Sequence, residues 1–259
     1  MVGNKFFRTG IKGFDNLLRR GIPQNSNIIV EGGPGTGKTI FCLNIVNNAC
    51  MRGERCFYMS FEEPEHRLKA HMKSFGWEPE RFEKKKLLKI KEYNPLEITR
   101  SIEALLSKAE DELLIDIDPI IIPKEFNPDV VIVDSLSALA EAFSGAENRF
   151  RVYIHQFFNY LTRKNITSFL IREVSHSTPL ERYYLDRGSA INFLADGIIT
   201  IYNIVDKVGR RSSAIEVFKM RGTDIQRKIV EMRILDGKGV EVYPNLIIGE
   251  TLKRGFSFT

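Results

Sequence analysis

The chain has 259 residues, of which 43% are hydrophobic and 27% are charged, and its 38 Lys and Arg against 33 Asp and Glu leave a formal net charge of +5. This composition is typical of a folded globular protein and excludes disordered, collagen-like and coiled-coil classes. The sequence has no apolar run near the ~20 residues of a membrane span and no signal-peptide core in residues 1–8. We therefore expect a cytoplasmic protein without a membrane segment.

Apolar strand-like runs alternate with helical patterns along most of the chain, which indicates a parallel sheet with helices on its faces. Residues 27–31 form a short apolar strand that ends in glycines, and residues 40–46 form a helix that closes near Gly53. Residues 56–61 are the next predicted strand, and a helix follows over residues 65–74.

Two amphipathic helices and two further strands are predicted next. The apolar stripes of the helices are Ile98, Ile102, Leu105, Leu106, Ala109 and Leu113, and Phe150, Tyr153, Ile154, Phe157, Phe158 and Leu161. Residues 130–134 form an apolar strand that ends in an acid, as is typical of a central parallel strand, and residues 167–171 form another strand. The proline-containing stretch 110–128 is interpreted as an irregular excursion within the domain.

The pattern changes after residue 171, because short strands now follow one another across glycine-rich or charged turns, which predicts antiparallel hairpins at one edge of the sheet. These strands are residues 198–205, 214–220, 229–235 and 240–243. No linker, internal repeat or low-complexity tract is visible, so we expect a single domain over residues 1–259.

A glycine-rich segment between the first predicted strand and helix has the spacing GxxxxGK[ST]. In this motif the glycines let backbone N–H groups face phosphates, the lysine reaches the β and γ oxygens, and the hydroxyl binds Mg²⁺. The predicted nucleotide-binding residues are Gly32, Gly33, Pro34, Gly35, Thr36, Gly37, Lys38 and Thr39. The sequence therefore predicts a site for ATP and Mg²⁺, with Thr39 as a metal ligand.

Acids at strand ends are candidates for the remaining parts of a triphosphate site. Asp134 ends an apolar strand, and although such an acid is as often structural, the phosphate loop favours a role in binding the metal. Glu62 and Glu63 follow another strand, where a carboxylate can take a proton from the attacking water. The two glutamates also suit the start of a helix at Pro64, so the residues alone leave both interpretations open.

Seven sequence blocks lie between residues 9 and 223. They are TGIKGFDNLL at 9–18, GIP at 21–23, the phosphate loop at 32–39, FEEP at 61–64, SFGW at 74–77, VDSL at 133–136 and VFKMRGT at 217–223. Together they resemble a KaiC-type ATPase domain, a branch of the RecA superfamily, over nearly the whole chain. The resemblance implies an α/β fold with a RecA-like P-loop core, in which a mostly parallel twisted sheet carries helices on both faces and an antiparallel C-terminal edge.

The resemblance also implies a homo-oligomeric ring, commonly a hexamer, with ATP between subunits. It assigns activation of water to Glu62, with Glu63 beside it, and contact with the γ-phosphate of the neighbour's nucleotide to Lys219 and Arg221. Without the resemblance, those two cations would be solvated charges at a sheet edge. Ser74 and Asp236 fall where the family contacts the nucleoside.

The chain departs from the circadian clock members of the family, which carry two copies of the domain and phosphorylate themselves in the second. This chain has one copy, and Asn192 and Phe193 stand where the phosphoacceptor hydroxyls lie. We therefore expect neither self-phosphorylation nor a clock function.

Two functions fit such an ATPase. The favoured one is a regulatory or signalling role through an unknown protein partner. The alternative is a RadA-paralogue-like ATPase that binds single-stranded DNA in recombination or repair. Residues 175–188 support it, because they combine arginine with two tyrosines. However, Glu181 and Asp186 reduce the positive charge of this segment, and a subunit interface explains the same residues. The chain begins almost directly at the block starting with Thr9, without room for the N-terminal DNA-binding domain of RadA-like recombinases, which favours the first. A scaffold that holds ATP without turnover is a third possibility.

Overall fold

The fold is that of a computed structural model, which describes residues 5–100, 122–123, 125–143, 147–174, 190–206, 211–248 and 256–258. The predicted helical stripe beyond residue 100, most of the 110–128 excursion and the 175–188 segment lie outside these residues. Among the helices in the described ranges, none is both long and apolar enough to cross a lipid bilayer.

The elements follow the predicted alternation of strands and helices. The strands are β1 (Phe6–Phe7), β2 (Ile22–Pro23), β3 (Asn27–Gly32), β4 (Cys56–Ser60), β5 (Leu88–Glu92), β6 (Val130–Asp134), β7 (Thr167–Glu173), β8 (Gly197–Asp206), β9 (Arg211–Met220), β10 (Val230–Leu235), β11 (Gly239–Ile247) and β12 (Phe256–Phe258). The helices are α1 (Lys38–Met51), α2 (Glu65–Ser74), α3 (Pro79–Lys84), α4 (Leu136–Ala142), α5 (Glu147–Arg163) and α6 (Ala190–Leu194).

The main sheet has the strand order β11-β10-β9-β8-β3-β7-β6-β4-β5, and β12 also pairs with β8. The strands from β8 through β3 to β5 are parallel, and those from β8 to β11 are antiparallel. The predicted mostly parallel sheet with an antiparallel C-terminal edge is therefore confirmed. Strand β8 belongs to both halves, because it is parallel to β3 and antiparallel to β9.

Strand β3 lies at the centre of the sheet and is buried along its whole length. Its successive side chains point to opposite faces, so Ile28 and Val30 pack with α1 in one core, while Ile29 packs with α5 in the other. The apolar stripe predicted for α5 faces this second core. Because helices cover both faces, the inner parallel strands β3, β4, β6 and β7 are buried on both faces, whereas the edge strand β5 alternates buried and exposed residues.

One buried polar cluster within the sheet contains an ion pair. Glu31, Arg172 and Thr200 are at the same level on β3, β7 and β8, and they are 1%, 9% and 2% exposed. The Arg172 guanidinium donates to Glu31 Oε2, and the Thr200 hydroxyl donates to Glu31 Oε1 at 3.2 Å. The cluster joins three central strands immediately before β3 ends.

We predict that Glu31→Ala lowers the free energy of unfolding by about 3–5 kcal/mol, because it leaves the buried Arg172 charge without its carboxylate. Asp224→Ala is the matched control: it removes an ion pair with Arg19 whose side chains are 79% and 77% exposed, and it should cost less than about 1 kcal/mol. Urea unfolding measures both. Equal losses in the two variants would show that the buried pair is not structurally important.

Candidate functional site

The loop between β3 and α1 is built on glycines for steric reasons. Gly35 and Gly37 have φ angles of +70° and +95°, in the left-handed region. A Cβ on Gly37 would lie 2.6 Å from Ile234 Cδ1, and a Cβ on Gly32 would lie 2.4 Å from the Ile201 carbonyl oxygen. The backbone therefore takes this path only with glycine at these positions, and it leads directly into the N-terminus of α1.

The loop encloses the side chain of Lys38, which is only 7% exposed. Lys38 Nζ donates to the carbonyl oxygens of Gly32 at 3.0 Å and Gly33 at 2.8 Å. It also lies 3.4 Å from Glu173 Oε1. The ammonium group is thus held at the mouth of α1 by two carbonyls and one carboxylate.

Asp134 lies beside the first turn of α1. Its Oδ2 accepts hydrogen bonds from the Thr39 hydroxyl at 3.0 Å and the Tyr58 hydroxyl at 2.5 Å. Burial raises the pKa of Asp134 to about 6; the hydrogen bonds from Tyr58 and Thr39 act against this shift, and the charge of Glu62 adds to it. The two residues predicted as metal ligands, Thr39 and Asp134, are therefore in direct contact.

The structure separates the two neighbouring glutamates. Glu62 Oε1 accepts a hydrogen bond from the Ser135 hydroxyl, next to Asp134. Glu63 Oε2 lies 3.1 Å from His71 Nε2 on α2, and the Glu63 backbone N–H donates to Ser60 Oγ at 3.1 Å. Glu62 is therefore directed towards the phosphate loop, and Glu63 towards α2.

The phosphate loop, Asp134 and Glu62 border one cavity of about 330 Å³ at the carboxyl ends of the parallel strands. Its lining residues are Gly35, Gly37, Lys38, Thr39, Ile40, Glu62, Asp134, Ile171, Glu173 and Ile234. Glu173 is a member that the sequence interpretation missed. The available signal was an acid two residues beyond a predicted strand, but its meaning depends on β7 lying next to β3, which the sequence does not show.

Lys219 and Arg221 lie at the other end of the strands, where the parallel strands begin. Lys219 pairs with Ile198 near the start of β8, whereas Gly32 pairs with Ile201 further along β8. Lys219 Nζ donates to the Asn192 and Ala195 carbonyl oxygens at 2.8 and 2.7 Å, and burial lowers its pKa, with the charge of Arg221 adding to the effect. The structure therefore does not bring these cations to the phosphate loop of their own chain.

Arg221 is held more loosely than Lys219. Its guanidinium donates to the Phe193 carbonyl oxygen at 3.0 Å and lies 3.5 Å from Asp196 Oδ1, and its side chain is 55% exposed. Both cations thus anchor the end of α6, and Arg221 is the more accessible of the two.

The predicted nucleoside residues, Ser74 and Asp236, are exposed and do not line the cavity. The Ser74 hydroxyl donates to the His71 carbonyl oxygen at 2.8 Å, and Asp236 lies in the β10–β11 turn, two residues after Ile234. A Cβ on Gly239, the first residue of β11 after that turn, would lie 2.5 Å from Trp77 Cζ2. The SFGW block and the turn that carries Asp236 are therefore neighbours.

A glycine-rich phosphate loop between a central parallel strand and a helix, with an acid on a nearby strand, defines the P-loop class with a RecA-like sheet. Residues 7–247 match the family model described as "ATPase: KaiC", so the chain belongs to the KaiC ATPase family. This finding confirms the resemblance that the sequence blocks indicate.

Relatives of known sequence and structure agree with this assignment. A UPF0273 protein of Pyrococcus horikoshii is 31% identical over 253 residues, which cover 96% of each chain. The circadian clock protein KaiC3 of Synechocystis sp. is 26% identical over 250 residues, which cover 93% of this chain and 46% of that protein. The crystal structure of a KaiC-like protein from Pyrococcus horikoshii covers 93% of this chain and 100% of its own, with a TM-score of 0.73 and 24% identity, which supports the fold.

The raised pKa of Asp134 predicts a pH-dependent effect on stability. Because burial disfavours the ionised form, Asp134 destabilises the folded state most above pH about 6. This cost shrinks as the pH falls towards 4, where the carboxyl is protonated in the folded state and close to half protonated in the unfolded state, whose pKa is 3.8. Asp134→Asn should therefore raise the free energy of unfolding at pH 8 by up to about 3 kcal/mol, and by little at pH 4. Urea titrations of the nucleotide-free protein at both pH values measure this, with the exposed Asp224→Asn as control. Lower stability of Asp134→Asn at pH 8 would contradict the prediction.

Proposed function

We propose that the protein is an Mg²⁺-dependent ATPase, formed by one domain over residues 1–259, that hydrolyses ATP between the subunits of a homo-oligomeric ring, commonly a hexamer in this family. The main observation in support is that Lys38, Thr39, Asp134 and Glu62 line one cavity beside the phosphate loop. Membership of the KaiC ATPase family supports nucleotide binding and hydrolysis.

The residues present fit ATP and Mg²⁺. Phosphates would bind along residues 32–39, where the backbone N–H groups at the start of α1 and the Lys38 ammonium favour anions. Thr39 and Asp134 would hold Mg²⁺, because hydroxyl and carboxylate oxygens are the ligands it prefers, and one or two carboxylates suffice when phosphates complete the shell. ATP supplies the phosphoryl group, and Mg²⁺ neutralises part of its charge.

Glu62 is the proposed general base. Its carboxylate faces the cavity and is oriented by the Ser135 hydroxyl, so it is placed to accept a proton from the attacking water. Glu63 is proposed to act indirectly, because its contact with His71 fixes the turn that carries Glu62.

Lys219 and Arg221 are proposed to act on the nucleotide of the neighbouring subunit. Within one chain Lys219 is displaced from the phosphate loop by three residues along β8, about 10 Å, and by two strand spacings, roughly 10 Å more, and Arg221 follows two residues later, beyond the end of β9. A head-to-tail contact between subunits would place the end of the sheet with these cations against the neighbour's cavity. There they would neutralise charge that develops on the transferred phosphoryl group.

The proposed biological role is regulation or signalling through a protein partner, driven by the nucleotide cycle. The segment that suggested single-stranded DNA, residues 175–188, lies outside the described residues, so DNA binding has no structural observation in its favour. Asn192 and Phe193 carry no hydroxyl, which argues against self-phosphorylation at these positions.

We predict that Glu62→Gln still binds ATP but hydrolyses it about 10²–10⁴-fold more slowly, because the amide accepts no proton. Glu63→Gln is the matched control, and since it only loosens a contact with His71, its turnover should fall less than about tenfold. Phosphate release gives the turnover, and calorimetry gives ATP affinity. A greater loss of turnover in Glu63→Gln than in Glu62→Gln would indicate that Glu63 is the base.

We also predict that inactive subunits complement one another when mixed. Lys38→Ala removes the phosphate contact and Arg221→Ala removes the cation supplied to the neighbour, so each variant alone should be inactive. In a random 1:1 mixture about a quarter of the interfaces combine an intact loop with an intact Arg221, so about a quarter of wild-type turnover per site should return.

Native mass spectrometry shows whether the rings are mixed, and separately assembled rings of each variant are the control. Mixed rings without recovered turnover would contradict action across the interface.

A further inference from the structure

Glu173 is the charged cavity residue that the proposed function leaves without a role. It is the last residue of β7 and pairs with Gly32 at the end of β3. Its backbone N–H donates to Ser137 Oγ at 2.8 Å, which ties the end of β7 to the start of α4, close to Asp134. Glu173 is thus built into the cavity wall by two neighbouring elements.

The Glu173 side chain remains accessible. It is 50% exposed, lines the cavity, and its carboxylate lies 3.4 Å from Lys38 Nζ. The Lys38 side chain is only 7% exposed. Among the described residues, Glu173 is the one carboxylate that forms an ion pair with it.

Binding of ATP, as proposed above, changes this charge arrangement. Phosphate oxygens would bind the Lys38 ammonium in place of Glu173. Glu173 would then have no counter-ion, and the negatively charged phosphates would lie a few ångströms from it. Mg²⁺ held by Thr39 and Asp134 would offset part of this negative charge, but Glu173 is outside that proposed ligand pair, so it faces repulsion unless another cation approaches it. The described residues that line the cavity include no second cation.

The neighbouring subunit would supply that cation, and Arg221 suits the role better than Lys219. Lys219 Nζ is fixed by two short hydrogen bonds to carbonyl oxygens and is partly buried. Arg221 is 55% exposed and has one hydrogen bond at 3.0 Å and one weak ion pair at 3.5 Å. A planar guanidinium with several donors can contact a carboxylate and a phosphate at the same time.

We propose that Glu173 is a positioning residue that exchanges one cation for another: it pairs with Lys38 in the nucleotide-free subunit and with Arg221 of the neighbouring subunit once phosphates occupy the loop. This inference rests on the proposed function. Glu173 holds Arg221 beside the phosphates, and the pair contributes to the interface only when nucleotide is bound. ATP binding and subunit association therefore strengthen each other, as linkage requires.

The test is a double-mutant cycle on subunit association. Glu173→Gln, Arg221→Gln and the double variant are compared by sedimentation velocity with Mg²⁺ and a non-hydrolysable ATP analogue. Each single variant should weaken association about tenfold, and the double variant should be no weaker than the worse single variant, because both remove the same contact. Additive losses, about a hundredfold in the double variant, would overturn the pairing.

The second measurement is the affinity of dissociated subunits for the analogue. Damage to the structure would lower this affinity, whereas the proposal predicts that it stays the same or rises. Glu173→Gln should bind the analogue equally well or several-fold more tightly, because it removes a competitor for Lys38 and a repulsive charge. Glu173→Asp, which keeps the charge, should recover part of the association. Glu141→Gln on α4 is the control for the loss of one exposed charge. Weaker analogue binding by Glu173→Gln, or no recovery in Glu173→Asp, would contradict the proposal.

The outcomes also separate this inference from the proposed function. If Arg221→Gln leaves analogue-dependent association and ATP turnover unchanged, the action of Arg221 across the interface is wrong, and the Glu173 pairing is wrong with it. If Arg221→Gln reduces both while Glu173→Gln has no effect or acts additively, only the Glu173 pairing is wrong.

Discussion

The buried ammonium group of Lys38 is the charge on which the arrangement of the site depends. A cation at the N-terminus of a helix faces the positive end of the helix dipole, and removal from water adds to the cost. The carbonyl oxygens of Gly32 and Gly33 and the carboxylate of Glu173 offset this cost. These contacts require a loop that folds back on itself, which explains why Gly32 and Gly37 occupy positions where a Cβ would clash. In the proposed function, phosphate oxygens replace these partners.

The residues of the proposed active site lie at the two opposite ends of the strands of the sheet. Strand β3 ends at the phosphate loop, and the parallel strands β6 and β7 end beside it with Asp134 and Glu173. Strand β9 runs in the opposite direction, so Lys219 and Arg221 lie near the other end. A single subunit therefore carries a cavity bordered by Glu62, Asp134 and Glu173 and, away from it, a pair of cations, which the proposed ring would bring together across a subunit contact. The reversal of chain direction after β8 is thus the structural basis of the proposed ring.

The sequence predicted those parts of the fold whose signals are local. The phosphate loop, the buried strands β3, β4 and β6 and the helix α2 depend on apolar runs and on turn residues that are adjacent in the chain. Strand β5 was missed because its alternating lysines, Lys89 and Lys91, leave only two apolar residues at a sheet edge. Strand β7 was predicted two residues short, because Arg172 and Glu173 look like loop residues until Glu31 on β3 is known to pair with Arg172.

In the candidate site, too, the sequence does not show which residues contacts distant in the chain bring together. Glu62 and Glu63 are adjacent in sequence, and only the turn after β4 shows that Glu62 faces the cavity while Glu63 faces His71. Glu173 is identified by its neighbour across the sheet, which is a long-range contact. The resemblance to KaiC-type domains implied roles for Lys219 and Arg221 at a neighbour's nucleotide, and the sheet register shows that both cations lie away from the phosphate loop of their own chain.

The most direct measurement is a structure of the assembled protein with Mg²⁺ and a non-hydrolysable ATP analogue. Lys38 Nζ is expected within about 2.7–3.2 Å of a phosphate oxygen, released from the carbonyl oxygens of Gly32 and Gly33. Arg221 of the neighbouring subunit is expected beside the same phosphates. An analogue bound elsewhere, with Lys38 still held by the two carbonyl oxygens, would contradict the proposed nucleotide site.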